Sequence, residues 1–238
     1  MGGFNSLGTS LTLHIYLLTL LQADSSSTPS TPANPSQEFT GDGTAYSEKV
    51  ADGTGFACSY RFLNPWAQTY FAAINSEQWD DGRACGRCVS ARCIDSRCTN
   101  KDPVTLMIVD KCPECAHGAL DLSIPAYREM TGLWPHRLEI SFSFIDCPAD
   151  KFNGTIKMDP KDGTNPNWAA FYVSNTLYPL KSVILDGKKL ERQTYNFWTL
   201  SGPLGSAPHT VELEADNGEK VSTQVDDVLK SLDLGVQF

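Results

Sequence analysis

After residue 40 the apolar positions fall in short runs separated by turn residues, a pattern of strands. β-like runs stand at Thr44–Tyr46, Tyr70–Ile74, Val104–Val109 and Leu138–Phe144. One helix is expected, with Ser123 as N-cap, Pro125 tolerated in the first turn and an end near Thr131. Beyond residue 150 the turn dipeptides Asp162-Gly163, Asp186-Gly187 and Asn217-Gly218 separate runs that often alternate. Thr210–Ala215 is the clearest: Val211, Leu213 and Ala215 face one way, and Thr210, Glu212 and Glu214 the other. Five or more strands at this spacing predict a small sandwich.

The N-terminus departs from this pattern. Residues 1–23 contain no Asp, Glu, Lys or Arg and centre on Leu11–Leu21, an apolar run too short and too polar to span a bilayer. With Leu21-Gln22-Ala23 as cleavage site, residues 1–23 are expected to be a signal peptide, which makes the mature protein secreted. No other segment is long and apolar enough to cross a membrane. Residues 24–38, rich in Ser, Thr and Pro, are expected to be a flexible spacer. Asn153-Gly154-Thr155 is the only N-glycosylation sequon.

All eight cysteines lie between Cys58 and Cys147. That shift places a boundary near Cys147–Asp150 and divides the chain into units of about 39–148 and 149–238. Cys85-Gly86-Arg87-Cys88 and Cys112-Pro113-Glu114-Cys115 are spaced slightly wide for a four-thiolate zinc site, which would leave the other four cysteines unexplained. In an oxidising compartment four disulfides are the simpler account, in any of about 105 connectivities. No metal and no cofactor is expected. The net charge of −9 lacks the basic footprint of nucleic-acid binding and disfavours an anionic membrane surface. It suits a neutral glucan better than an acidic pectin.

Four stretches appear in order: Gly43-Thr44-Ala45-Tyr46, Ala84–Val89, Val109–Pro113 and Gly118–Ser123. Together they resemble the double-psi β-barrel of expansins, especially microbial expansin-like proteins. Asn167–Ala170, Asn175–Pro179 and Tyr195–Trp198 resemble the expansin second domain. The likeness covers nearly all of residues 40–238. It implies a mainly β fold, a six-stranded double-psi β-barrel over 39–148 followed by an immunoglobulin-like, carbohydrate-binding β-sandwich over 149–238. It also implies a monomer that loosens plant cell walls without hydrolysis by acting on cellulose, xyloglucan or related neutral β-glucans. Cysteine pairing in related proteins implies Cys58–Cys85, Cys88–Cys147 and Cys93–Cys98. Cys112 and Cys115 are left either to bridge each other or to exchange with the Cys85/Cys88 pair.

The resemblance assigns the groove to Asp121, Asp110, Thr44 and Tyr46. Asp121 precedes the helix, where a helix N-terminus can position a carboxylate to accept sugar hydroxyls; an acid there also serves simply to cap the helix. Asp110 is expected to emerge at the end of an apolar strand. Thr44 and Tyr46, two residues apart, share a strand face. Cys112 stands where some microbial relatives carry a groove tyrosine, and Ala119 and Leu120 replace the His-Phe of plant expansins. A glucan-binding platform is assigned to Trp168 and Tyr195, with Lys157 at its edge, since aromatic rings bury the apolar faces of pyranoses. Asn167 occupies a position that is often aromatic, and Trp198 is expected in the core. Glu48 opens an alternative: Asp121 as acid and Glu48 as base would make an inverting endoglucanase. A further alternative is a purely adhesive glucan-binding protein with a vestigial groove.

Overall fold

The computed structural model describes residues 1–3 and 37–238. The expected signal peptide beyond residue 3 and the spacer up to residue 36 lie outside the described residues. Six strands, β1 (Glu38–Ser47), β2 (Phe71–Asn75), β3 (Cys88–Cys93), β4 (Val104–Cys112), β5 (Leu120–Ser123) and β6 (Leu138–Ile145), close into a barrel in the order β1-β5-β2-β4-β3-β6. β1 with β5 and β2 with β4 are parallel, and the other pairs antiparallel. Closure leaves no free edge, so every backbone ladder is completed within the barrel. Helix α1 (Ile124–Thr131) follows β5 directly and buries Ala126, Tyr127 and Met130. Ser123 Oγ accepts a hydrogen bond from the Ala126 amide at 3.3 Å, as its place in the sequence predicts. Gly132 ends the helix in the left-handed region (φ 69°) with Thr99 so near that a Cβ has no room.

The eight cysteines form Cys58–Cys85, Cys88–Cys147, Cys93–Cys98 and Cys112–Cys115. The first three are the pairs that the resemblance implies. The last pair bridges itself, closing a small loop at the end of β4, so no thiol of the two Cys-x-x-Cys pairs is left to bind a metal.

Nine further strands follow: β7 (Lys157–Pro160), β8 (Ala169–Ser174), β9 (Leu180–Leu185), β10 (Lys188–Lys189), β11 (Glu191–Arg192), β12 (Phe197–Leu200), β13 (His209–Ala215), β14 (Lys220–Val225) and β15 (Leu232–Asp233). They make two antiparallel sheets, ordered β10-β9-β13-β14 and β11-β12-β8-β7-β15. Met158, Phe171, Val173 and Trp198 from one sheet share a core with Val183, Leu185, Val211 and Leu213 from the other. Trp198 is buried there, as expected.

Barrel and sheets meet along a polar seam within one compact unit. Asn196 Nδ2 donates to the Cys58 carbonyl at 3.1 Å, and Arg192 Nη1 to the Gly82 carbonyl at 3.1 Å. Arg192 also donates to the Leu180 carbonyl and lies 4.5 Å over the Trp198 ring. Burial pulls its pKa down to about 10. Arg87 and Asp216 pair at 2.5 Å. Gly82 has φ +87°, and a Cβ there would stand 2.9 Å from the Thr194 carbonyl oxygen, so only glycine allows this approach.

Candidate functional site

The barrel's ladders bring distant residues onto one level. Thr44 pairs with Asp121 across β1 and β5, Asp121 with Ala73 across β5 and β2, and Ala73 with Asp110 across β2 and β4. The register between β2 and β4 shifts between Ala72 and Ala73, a bulge that puts Asp110 level with Ala73. The two acids thus stand two strands apart, about 10 Å between backbones at the usual strand spacing. Only the methyl group of Ala73 stands on the strand between them. Asp110 lies inside β4, which continues to Cys112, whereas the apolar run alone places it at a strand end.

The two carboxylates are used differently. Asp121 Oδ1 accepts from Thr44 Oγ1 at 2.6 Å. Burial raises the Asp121 pKa; the Thr44 hydroxyl opposes this, Glu114 and Asp110 reinforce it, and Arg137 offsets it. Asp110 Oδ1 instead accepts from the Ala57 amide at 2.7 Å and the Lys111 amide at 2.9 Å, while its Oδ2 accepts from the Tyr46 hydroxyl at 3.3 Å. Asp110 therefore braces the segment around Ala57 against β4. The Tyr46 ring packs against Phe56 and Phe71. Burial, and then the charge of Asp110, push its hydroxyl pKa far up, so Tyr46 is a hydrogen-bond donor at any working pH. Glu48 is exposed just past the end of β1.

The second candidate surface is the outer face of the five-stranded sheet. Phe171 and Val173 point into the core, so the alternation of β8 turns Ala170 and Tyr172 outward, and Trp168 just before it shares their parity. On β12 the same argument turns Phe197 outward opposite Tyr172, with Trp198 inward. Tyr195, in the turn before β12, is 56% exposed and Trp168 42%. Lys161 lies 5.4 Å over the Phe197 ring. Trp168 and Tyr172 are four residues apart, about 13 Å along the strand. Lys157 is level with Ser174, at the other end of β8 from Trp168, ion-paired with Asp233 and 5.9 Å over Phe62.

A family model described as lytic transglycolase (DPBB_1) matches residues 71–134. Expansin-like protein 1 of Dictyostelium discoideum is 28% identical over 218 residues, covering 87% of this chain and 73% of that protein. Expansin-YoaJ of Bacillus subtilis is 30% identical over 129 residues, covering 52% of this chain and 54% of its own length. The crystal structure of the apo Clavibacter michiganensis expansin superposes with a TM-score of 0.70 at 22% identity, over 84% of this chain and 98% of that one. The chain is similar to expansins over most of its length, and it shares their fold. A point mutant of the Clavibacter expansin, solved in complex with cellohexaose, matches with a TM-score of 0.69.

In this protein the barrel brings Thr44, Tyr46, Asp110 and Asp121 together on one side. Tyr195 is drawn to the same place, because a cleft of about 340 Å³ between barrel and sheet is lined by Phe56, Ala57, Arg61, Asp110, Tyr172 and Tyr195. Trp168 and Lys157 stand apart from it at opposite ends of β8. Sequence reasoning missed Phe197, although its parity with Tyr195 carries a signal, and Arg61, for which nothing local does. It also missed Glu114, the carboxylate on the Cys112–Cys115 loop whose charge reaches Asp121. Glu48, singled out from its spacing, is not among the charges that act on Asp121.

Proposed function

We propose that this protein is an extracellular, monomeric expansin that binds cellulose, xyloglucan or a related neutral β-glucan and loosens plant cell wall without cleaving it. In this reading residues 1–23 are a signal peptide, 24–38 a spacer, 39–148 the barrel and 149–238 an immunoglobulin-like carbohydrate-binding sandwich. Trp168 and Tyr195, with Lys157 toward the edge, hold the glucan on the sheet face. Thr44, Tyr46, Asp110 and Asp121 form the working groove. The cellohexaose complex of the Clavibacter relative supports the ligand class.

The observation that carries the reading is the unequal use of the groove carboxylates. Asp121 Oδ2 has no hydrogen-bond partner among the described residues, while both oxygens of Asp110 are occupied. An inverting glycosidase needs a second carboxylate about 6.5–9.5 Å from the acid, with room for an activated water. Asp110 is committed to Ala57, Lys111 and Tyr46, and Glu48 stands in solvent beyond β1. What remains is one partly buried carboxyl able to exchange hydrogen bonds with sugar hydroxyls. A hydroxyl that donates to Asp121 releases its partner on a neighbouring glucan, while the rings keep the chain from leaving. Such an exchange loosens contacts between chains and breaks no glycosidic bond.

The test is wall creep measured together with reducing-end release on heat-inactivated plant walls and on cellulose. Creep without reducing ends, lost in Asp121→Asn, is the expected result. Steady reducing-end release abolished by Glu48→Gln would replace this reading with a hydrolase. Creep unchanged in Asp121→Ala would reduce the protein to an adhesive. Release of soluble fragments from peptidoglycan would make it a lytic transglycosylase, the activity that the family model's description names.

A further inference from the structure

The cleft between barrel and sheet contains a cation that pairs with no carboxylate among the described residues. The Arg61 guanidinium lies 4.6 Å over the Tyr172 ring and makes no hydrogen bond or ion pair among the described residues. Arg83, Arg87, Arg92, Arg97, Arg137 and Arg192 each donate to a carboxylate or a carbonyl. Of the two that do not, Arg61 and Arg128, Arg61 lines the cleft. Its aromatic support is firm, since Tyr172 is only 7% exposed and packs edge-on against Phe197. A guanidinium stacked on a ring keeps its N–H fork free for a planar partner. Tyr195, largely exposed on the same cleft, offers a ring face on which a pyranose can lie.

We propose that this cleft is a subsite for a uronic-acid unit of a β-linked glycan, with its carboxylate on Arg61 and its sugar ring against Tyr195. Charge-assisted, bidentate pairing makes a carboxylate a much better partner for the free fork than a sugar hydroxyl is. The same cleft is bounded by Asp110, with Asp121 on the same level of the barrel beyond it, and the chain carries a net charge of −9. One carboxylate therefore fits, and a continuous run of them meets repulsion. The subsite selects an isolated uronate branch on an otherwise neutral chain, not a polyuronate. This inference deepens the glucan-binding reading and rests on it only for the position of the neutral chain.

The experiment compares binding of xylotetraose with that of xylo-oligosaccharide of equal length carrying one 4-O-methylglucuronic acid branch, by calorimetry at low salt. Wild type is expected to prefer the branched ligand about tenfold, the scale of one added charged hydrogen-bonded pair. Arg61→Gln is expected to abolish the preference, and Arg61→Lys, which keeps the charge but loses the fork, to retain part of it. Equal wild-type affinities, or a preference that survives in a natively melting Arg61→Gln protein, overturn the proposal. Should that variant fail to fold, salt decides: a wild-type preference that does not fall as salt is raised toward about 1 M, where screening reaches about 3 Å, overturns it too. Oligogalacturonide bound more tightly than the single-branch ligand would also overturn it. Cellohexaose binding by wild type is measured alongside; its absence counts against the neutral-glucan reading and leaves the uronate preference to be judged by its own ratio.

Discussion

In the barrel, Thr44, Asp121, Ala73 and Asp110 stand level because closed ladders set the register of four strands drawn from separate parts of the chain. In the five-stranded sheet, Tyr172 and Phe197 stand opposite each other because side chains alternate along two adjacent strands, with Trp168 just before β8 and Tyr195 in the turn before β12. The first arrangement fails if any ladder slips; the second needs only that the core beneath it stays filled. The cross-links follow this difference. All four disulfides join residues between Cys58 and Cys147, and the sheets stand on apolar packing around Trp198, Phe171 and Val211. A site assembled from residues far apart in sequence is where covalent staples are concentrated.

The most severe way to break the contrast is to unstaple the barrel. Cys88–Cys147 closes a loop of 59 positions, so the Cys88→Ala, Cys147→Ala double variant should lose about 4 kcal/mol of stability. Hydrogen exchange is expected to rise first in β3 and β6 and last in β13; simultaneous loss across both regions would show that they do not respond separately. On the sheet side, Trp168→Ala and Tyr195→Ala should each weaken glucan binding by about 1–3 kcal/mol without altering the groove. Pull-down affinities equal to wild type would remove the ring platform.

A subtler probe acts within the groove. Thr44→Val deletes the 2.6 Å hydrogen bond to Asp121, at a cost of about 1 kcal/mol. Because that bond favours the ionised carboxylate, the Asp121 pKa should rise further still, which carbon-detected NMR titration can follow. The sign is that of an acid with a raised pKa: stability is greatest with Asp121 protonated and falls as pH rises through its folded-state pKa. The smallest effect is expected at Asp233, whose pKa Lys157, Thr155 and the Gly235 amide hold down to about 2. Its contribution is present above the ordinary carboxylate range and lost as pH falls toward about 2. Asp233 is 54% exposed, so Asp233→Asn should cost well under about 1 kcal/mol at neutral pH, read by denaturant melts.

Much of this was legible in the linear pattern, and unevenly. The α1 cap at Ser123, the burial of Trp198 and the alternation over Thr210–Ala215 are local statements of backbone chemistry and need no tertiary information. β3 and β5 escaped a reading by runs alone because each is short, and their apolar positions are interrupted by Ser90, Arg92 and Asp121. The apolar run alone puts Asp110 at a strand end, because the polar Asp110 and Lys111 through which β4 continues to Cys112 carry no strand signal. Arg61 and Tyr172 are separated by more than a hundred positions, so no spacing rule could join them. Resemblance supplied the groove residues; register explains why they meet.

The seam between barrel and sheets has an asymmetry. On the barrel side its acceptors are the main-chain carbonyls of Cys58 and Gly82, which survive a change of side chain. The donors, Asn196 and Arg192, are side chains of the sheet region. At these two bonds the barrel side presents backbone, while Gly82 is held to glycine by its approach to Thr194 and the Arg87–Asp216 pair draws on side chains of both sides.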